Sequence, residues 1–185
     1  SRGPAVATGR HYRIERTLRV DPPRVLVQDR VTNLGDADLG LVFHHDLGGE
    51  TGPVAERRVG GFSMLGRRDE AASPLVYLAG SDGAIGMLPL DDVFVFQAVL
   101  ESRETTVHMG SESFAMPPGG SYTFEWAVYP AGTGSYWDFL NTVRAKEDRI
   151  GSIPFAVSPL CTTNMPPGRR AVPTADYVRY RGMTV

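Results

Sequence analysis

The chain has 185 residues, of which 42% are apolar and 22% are charged, and its formal net charge is −2. This composition is typical of one globular domain, and the small net charge gives no reason to expect nucleic acid or an anionic membrane as a partner. A single cysteine, Cys161, excludes an intramolecular disulfide and a zinc site made of several cysteines. Because no apolar run reaches the ~18–20 residues of a membrane-spanning helix, we expect no membrane span.

Alternation of apolar and polar residues predicts a series of strands after a loop at residues 1–9. The predicted strands are 11–20, 24–33, 39–47, 59–65, 74–80, 84–90, 93–100, 105–110 and 111–116. The first three follow one another through short turns, which predicts an antiparallel meander. The run 93–100 is apolar on both faces, which favours a central strand covered on both sides.

The strongest pattern lies between residues 121 and 149. Its first half alternates like a strand with one face in a core. The alternating residues are Tyr122, Phe124, Trp126 and Val128. Ser135, followed three residues later by Asp138, forms a helix-capping signature, and the helix that it opens is amphipathic. The apolar face of that helix is made by Tyr136, Phe139, Leu140 and Val143.

These elements predict an all-β fold, an antiparallel β-sandwich with one amphipathic helix near residues 135–149. We assign this domain to residues 1–150. Residues 151–185 contain five of the 14 prolines and no sustained period. That composition predicts an extended segment laid over a surface, or a linker to a following domain.

The run His44-His45-Asp46 is the first candidate for chemistry. On a strand His44 and Asp46 share one face and His45 points to the other, so the three converge only at a bulge. A histidine with an orienting carboxylate could act as a base or hold a metal. The alternative is a pair of hydrogen-bonded structural histidines. Other residues that could join them are Glu50, His11 and His108.

Carboxylates are a second group of candidates, because glycoside hydrolysis and sugar epimerisation use two positioned acid or base groups. Glu125 lies on the less apolar face of its predicted strand, where its alternative role is an ion pair with an arginine. Asp29 interrupts a valine face and could instead bond to backbone near a sheet edge. Asp91 and Asp92 could simply cap a turn.

Aromatic side chains form a third group, because a sugar ring can lie flat against tryptophan or tyrosine. Trp137 and Tyr129 are the candidate carbohydrate-binding residues, whereas the phase of the strand and helix places Trp126 and Tyr136 in the core. A phosphate-binding glycine loop and a GxSxG elbow are both missing from the sequence. We therefore expect no nucleotide chemistry, no metal and no cofactor.

Two phrases of the sequence resemble the galactose-mutarotase-like supersandwich superfamily. The first, DRVTNLGD at residues 29–36, has the form that precedes a strand leading into the sugar-facing sheet there. The second, YPAGTGSYWDFLNTVR at residues 129–144, is similar to the close of β-sandwich accessory domains in multidomain glycoside hydrolases. The resemblance covers roughly residues 10–150, and it implies a supersandwich-like fold, a carbohydrate-related role and a secreted or periplasmic location.

Two departures from that superfamily favour an accessory domain over an epimerase. The spaced histidine and glutamate of a mutarotase have no clear counterpart, and 185 residues are few for a complete supersandwich. We therefore expect a non-catalytic module of a larger carbohydrate-active protein, whose partner is a carbohydrate or an adjacent catalytic domain. One alternative is a sugar epimerase or lyase that uses His44 or His45 with Asp46, Glu50 or Glu125. Another is a purely structural assembly domain, and the sequence indicates no oligomeric state.

Overall fold

A computed structural model of the chain describes residues 4–48, 53–63, 65–69, 74–81, 83–132 and 134–147. The chain divides into two units, Ser1–Lys146 and Glu147–Val185, and every helix and strand given below lies in the first. The predicted proline-rich segment at 151–185 lies outside the described residues, so its role stays a prediction.

Within those ranges the chain forms eleven strands and two helices. They are β1 Ala5–Thr8, β2 Tyr12–Asp21, β3 Arg24–Asn33, β4 Leu39–Gly48, β5 Glu56–Val59, β6 Gly66–Asp69, β7 Val76–Gly80, β8 Gly83–Pro89, α1 Asp92–Gln97, β9 Val99–Ser102, β10 Thr106–Met116, β11 Ser121–Ala131 and α2 Tyr136–Lys146. A seven-stranded sheet has the order β1-β2-β3-β11-β8-β7-β5, and a four-stranded sheet has the order β4-β10-β9-β6. The predicted antiparallel β-sandwich is confirmed.

Strand β11 lies in the middle of the larger sheet, and both of its faces are covered. Phe124 and Trp126 point into the core between the two sheets, as the alternation predicts. Ala127 and Tyr129 point to the opposite side, where α2 covers them. The second covered face explains why α2 needs an apolar stripe of its own.

The predicted helix is confirmed as α2, with bounds shorter than 135–149. The Ser135 hydroxyl accepts the backbone N–H of Asp138 at 3.3 Å, as the capping signature predicts. Phe139 and Val143 are buried against the sheet. At the other end, Lys146 Nζ lies 2.7 Å from Asp21 Oδ1, which ties the helix to the β2–β3 turn.

The predicted central strand over 93–100 is wrong, because α1 occupies its first half and β9 begins at Val99. Asp91 is the cause. Its carboxylate accepts the Phe94 N–H at 2.9 Å, which caps the helix, and also the Tyr122 hydroxyl at 2.7 Å and the Glu125 N–H at 2.8 Å. The alternative role of Asp91, as a cap, is therefore the observed one.

The antiparallel pairing of the first two predicted strands is confirmed in β2 and β3, but the third strand of the predicted meander is wrong, because β4 pairs with β10 in the smaller sheet and not with β3. Asn33 fixes this crossing. Its amide donates to the carbonyl oxygens of Ala37, Met116 and Pro117, and its Oδ1 accepts the Gly35 N–H at 2.9 Å. Asn33 is 1% exposed, so these bonds hold a buried corner between the sheets.

Three smaller boundaries differ from the prediction. The predicted loop at 1–9 contains β1, which pairs with β2. The predicted strand at 59–65 is interrupted because Gly60 and Gly61 have φ of 57° and 85°, values that end β5 in a turn. The two short strands predicted over 105–116 form one strand, β10, with a register shift between Ser111 and Phe114.

Candidate functional site

Strand β4 carries the histidine pair and forms one edge of the four-stranded sheet. His45 points toward the core, and its side chain is only 9% exposed. His44 and Asp46 point outward, as the period of a strand predicts. The structure therefore divides this motif between two sites, one between the sheets and one on the outer face of the smaller sheet.

The inner site is built around Asp29, which is 4% exposed. Arg16 is its cross-strand partner and donates Nε to Oδ1 at 2.6 Å and Nη2 to Oδ2 at 2.9 Å. Trp126 donates its indole N–H to Oδ2 at 2.9 Å. Asp29 therefore makes a bidentate ion pair with Arg16 and accepts a hydrogen bond from the indole of Trp126. These contacts take the place of the expected bond to backbone near a sheet edge.

His45 completes this inner site by packing and not by hydrogen bonding. Its ring stacks on Trp126 with centroids 4.1 Å apart and planes 19° apart. His45 Nε2 lies 3.8 Å from Asp29 Oδ2, which is too far for a hydrogen bond, and it has no other hydrogen-bond partner. Burial lowers the pKa of His45 to about 4, although Asp29 opposes the shift, so the imidazole is neutral at pH 7.

The outer site is a row of polar side chains across β4, β10 and β9. His108 stands opposite Asp46 on one side and Glu101 on the other. Its Nε2 lies 2.8 Å from Glu101 Oε2, its Nδ1 lies 3.7 Å from Asp46 Oδ1, and its ring centroid is 5.2 Å from that of His44. Burial lowers the pKa of His108, whereas a hydrogen bond from Arg103 lowers the pKa of Glu101.

Glu101 is the member of this outer site that sequence reasoning missed. Glu101 and His108 face each other across the tight β9–β10 hairpin. That pairing follows from assigning 99–102 and 106–116 as neighbouring strands, which the predicted strand at 93–100 prevented. A correct hairpin register would have found it, because side chains directly opposite in an antiparallel pair share a face.

Glu125 does not join either histidine. It accepts a hydrogen bond from Gln28, its partner in register on β3, and not the expected ion pair with an arginine. Because its neighbour Trp126 points into the core beside His45, Glu125 points to the opposite side of the seven-stranded sheet. Glu50, the other predicted partner, lies outside the described residues.

The two predicted surface aromatic residues differ in their exposure to solvent. Trp137 is 63% exposed on the first turn of α2, which confirms its placement at the surface. Tyr129 is 1% exposed and packs against Phe139, so its prediction as a surface aromatic is wrong. The reason is that α2 covers the second face of β11, whereas the alternation of the strand alone predicts that this face is exposed to solvent.

Trp137 belongs to a braced surface group that we name the Trp137 platform, made of Glu56, Arg58, Tyr136 and Trp137. The Arg58 guanidinium lies 4.4 Å from the ring centroid of Tyr136 and 6.0 Å from that of Trp137. Glu56 Oε1 holds Arg58 Nε at 2.6 Å, and the Gly61 carbonyl holds Arg58 Nη1 at 3.1 Å. The arginine is therefore fixed beside an exposed indole.

No group of three or more histidine, cysteine, aspartate or glutamate side chains that could hold a metal ion occurs among the described residues. In the same part of the chain, neither helix has the length and apolar character that crossing a membrane requires.

Comparison with known proteins gives a likeness of fold. No protein-family model matches the chain, and no curated protein matches it. A solved polysaccharide lyase superposes with a TM-score of 0.50 at 11% identity, over 77% of this chain and 23% of the lyase. A protein from Klebsiella pneumoniae with a provisional aldose 1-epimerase assignment gives 0.48 at 10% identity, over 81% of this chain and 54% of that one.

A second provisional aldose 1-epimerase, from Escherichia coli K12, gives a TM-score of 0.38 at 13% identity, over 68% of this chain and 62% of that one. The chain thus spans less than two thirds of the length of each of these proteins. At such identities the likeness concerns the fold alone, and the superposition on the lyase agrees with the β-sandwich described above.

Proposed function

We propose that this chain is a non-catalytic, carbohydrate-binding β-sandwich module of a larger carbohydrate-active protein, in which it packs against or shapes the glycan site of a catalytic domain. The observation that carries the proposal is the Trp137 platform, an exposed indole braced by a fixed arginine. Helix phase assigns Tyr136, Phe139 and Val143 to the core, so the Trp137 side chain contributes little burial and is available for a ligand.

The chemistry of the platform suits a sugar ring. The C–H face of a pyranose lies against an indole, and its hydroxyls need polar partners at the rim. Arg58 supplies N–H donors and Glu56 supplies carboxylate acceptors beside that indole. Because Arg58 is already held by Glu56 and the Gly61 carbonyl, less side-chain freedom is lost on binding.

Two further observations support a module and not a complete enzyme. The fold matches less than a quarter of a polysaccharide lyase, so a sandwich of this kind can form one part of a longer carbohydrate enzyme. The inner histidine, His45, is enclosed and neutral, and the structure separates it from Glu125. The carboxylate and histidine combination expected for an epimerase is therefore not assembled between His45 and Glu125.

We expect Trp137→Ala to reduce binding of soluble polysaccharides by about tenfold or more, the size of effect typical of a central aromatic contact. The free energy of unfolding should change by only about 0.5 kcal/mol, because the side chain is 63% exposed. Affinity electrophoresis across a polysaccharide panel measures the binding, and urea denaturation measures the stability.

The matched control for this experiment is Phe96→Ala, which removes another exposed aromatic residue, 88% exposed on α1. It should leave binding unchanged. Equal binding by Trp137→Ala and the unaltered chain would reject the platform, and a chain that binds no polysaccharide at all would reject the proposed function.

A second candidate function, catalysis on sugars, is favoured by the outer site. His108 and Glu101 form a 2.8 Å acid and base pair beside His44, an arrangement suited to proton transfer. If this site turns over aldose anomers or polysaccharides, Glu101→Gln should lower the rate by about 10²-fold or more. Glu15→Gln, which removes a half-buried carboxylate paired with Arg13, is the control. If polarimetry detects no turnover by the unaltered chain, this function is rejected.

A further inference from the structure

The inner face of the larger sheet changes from buried to exposed at β2. Leu18, Val27 and Trp126 lie in register across β2, β3 and β11, so their side chains share one face of the sheet. Val27 and Trp126 are 2% and 6% exposed, whereas Leu18 is 64% exposed. Val20, the next residue of β2 on that face, is 77% exposed. Two aliphatic side chains therefore continue the core face beyond the part of it that is covered.

This uncovered strip, which we name the β2 ledge and define by Leu18 and Val20, lies beside strand β4. His45 of β4 stacks on Trp126, which is in register with Leu18 through β3. Strands β9 and β10 contact β5 and β7, toward the other end of the larger sheet. The ledge therefore lies on the side of β4 that faces away from β10.

That side of β4 has no strand paired with it within the described residues. An unpaired strand side presents a row of backbone N–H and C=O groups, and an extended chain can add to it as a further strand. An extended chain in that position would also lie over Leu18 and Val20. One occupant would thus pair with the β4 backbone and remove the aliphatic pair from water.

The described chain ends close to one end of the ledge. In the last turn of α2, Lys146 Nζ lies 2.7 Å from Asp21 Oδ1, and Asp21 directly follows Val20. The chain then continues beyond Glu147 to residue 185. An extended chain advances by ~3.3–3.6 Å per residue, so about ten residues span roughly 35 Å. This length is sufficient to pass the β2–β3 turn and to run along the ledge.

The first apolar run beyond α2 has the pattern of a strand that buries one face. In this run, residues 153–157, large apolar side chains occupy every second position, as Leu18 and Val20 do on the ledge. The large residues are Ile153, Phe155 and Val157, and Pro154 and Ala156 alternate with them. A proline is compatible with an outermost strand, because one side of such a strand makes no ladder hydrogen bonds.

We propose that residues 153–157 add to the unpaired side of β4 as an extended strand and cover the β2 ledge, so that the segment after α2 is held against the sandwich and is not a free linker. The observations that carry the proposal are the exposed aliphatic pair on a core face, the unpaired side of β4 and the position of Lys146 beside the β2–β3 turn. None of them involves a carbohydrate, so the proposal is independent of the Trp137 platform.

Thiol labelling of the full chain tests this docking. Cys161→Ser removes the single cysteine, and Val20→Cys then places a thiol on the ledge. Leu34→Cys is the matched reporter, because Leu34 is 50% exposed and follows β3 at the other end of β2. We expect maleimide to modify residue 20 at least about tenfold more slowly than residue 34, each rate being divided by its rate in urea. The exposures of the two side chains alone predict the opposite order.

Phe155→Asp, added to the Val20→Cys chain, should raise the labelling rate at residue 20 by about tenfold and leave the rate at residue 34 unchanged. Val172→Asp makes the same kind of change elsewhere in the segment, and as the control it should alter neither rate. The proposal is overturned by equal rates at residues 20 and 34, or by slow labelling at residue 20 that persists with Phe155→Asp. Slow labelling that disappears on dilution would assign the ledge to a second copy of the chain and would also overturn the proposal.

Discussion

Replacing Trp126 with alanine is expected to lower the free energy of unfolding by about 3–5 kcal/mol, the cost of truncating a large buried aromatic residue. Trp126 is 6% exposed at the centre of β11, and the cavity left behind would be surrounded by core residues of both sheets. A loss of this size is a large part of the ~5–15 kcal/mol that stabilises a typical domain.

The indole also makes polar and stacking contacts that alanine removes. Its N–H bonds to Asp29, and its ring stacks on His45. Trp126→Phe keeps an aromatic ring on β11 but removes the N–H donor together with part of the buried indole volume. We expect that variant to lose about 1.5–3 kcal/mol, the contribution of a hydrogen bond to a charged group, while Asp29 Oδ2 keeps its bond from Arg16.

Urea denaturation of these variants provides the measurement, with Trp137→Ala as the exposed control. The two tryptophans should differ sharply, since one is 6% and the other 63% exposed. Equal and small losses for the two alanine variants would show that the inner face of β11 has been assigned to the wrong side.

The parts of the fold that could be predicted from sequence are those with local causes. The alternate spacing of Phe124 and Trp126 predicts which face of β11 lies in the core. The spacing of Ser135 and Asp138 predicts the start of α2, and the Ser135 hydroxyl does accept the Asp138 N–H. Each of these signals lies within a few residues of the structure that it specifies.

The parts that could not be predicted depend on contacts between distant residues. Asp91 starts α1 with help from Tyr122 and Glu125, about thirty positions away in the chain. Without those partners the apolar run after Asp91 is indistinguishable from a buried strand. Propensity was overridden there by tertiary structure, as it often is for short elements.

The inner site was missed for the same reason. Arg16, Asp29, His45 and Trp126 come from four strands, β2, β3, β4 and β11. Their convergence requires both the pairing of β2 with β3 and the crossing of β4 to the other sheet, and the predicted meander excluded the second. The alternation on β4 did predict that His45 turns away from His44, and that division is confirmed.

The second large expected effect concerns stability and arises where α2 packs on the larger sheet. Gly86 of β8 lies in register between Tyr77 and Tyr129, and the ring of Phe139 occupies the space above it. A Cβ atom at residue 86 would come within 2.3 Å of Phe139 Cε2. The ring is 1% exposed and packs against both tyrosines, so it has little room to retreat.

Phe139→Ala is therefore expected to cost about 3–5 kcal/mol, by cavity formation. Gly86→Ala alone should cost about 1–3 kcal/mol, by overpacking against the same ring. The two losses should not add. With Phe139 already truncated, the methyl group at residue 86 meets no ring, and alanine in a strand is favoured over glycine by about 0.5–1 kcal/mol.

The sign of the Gly86→Ala effect should consequently reverse, from destabilising in the unaltered chain to slightly stabilising in the Phe139→Ala background. Urea denaturation of the four proteins in this double-mutant cycle measures the coupling directly. Additive losses would mean that the ring of Phe139 does not rest on Gly86. Reversal would establish that α2 can dock on β8 because residue 86 has no side chain. The docked helix in turn places Trp137 at the surface.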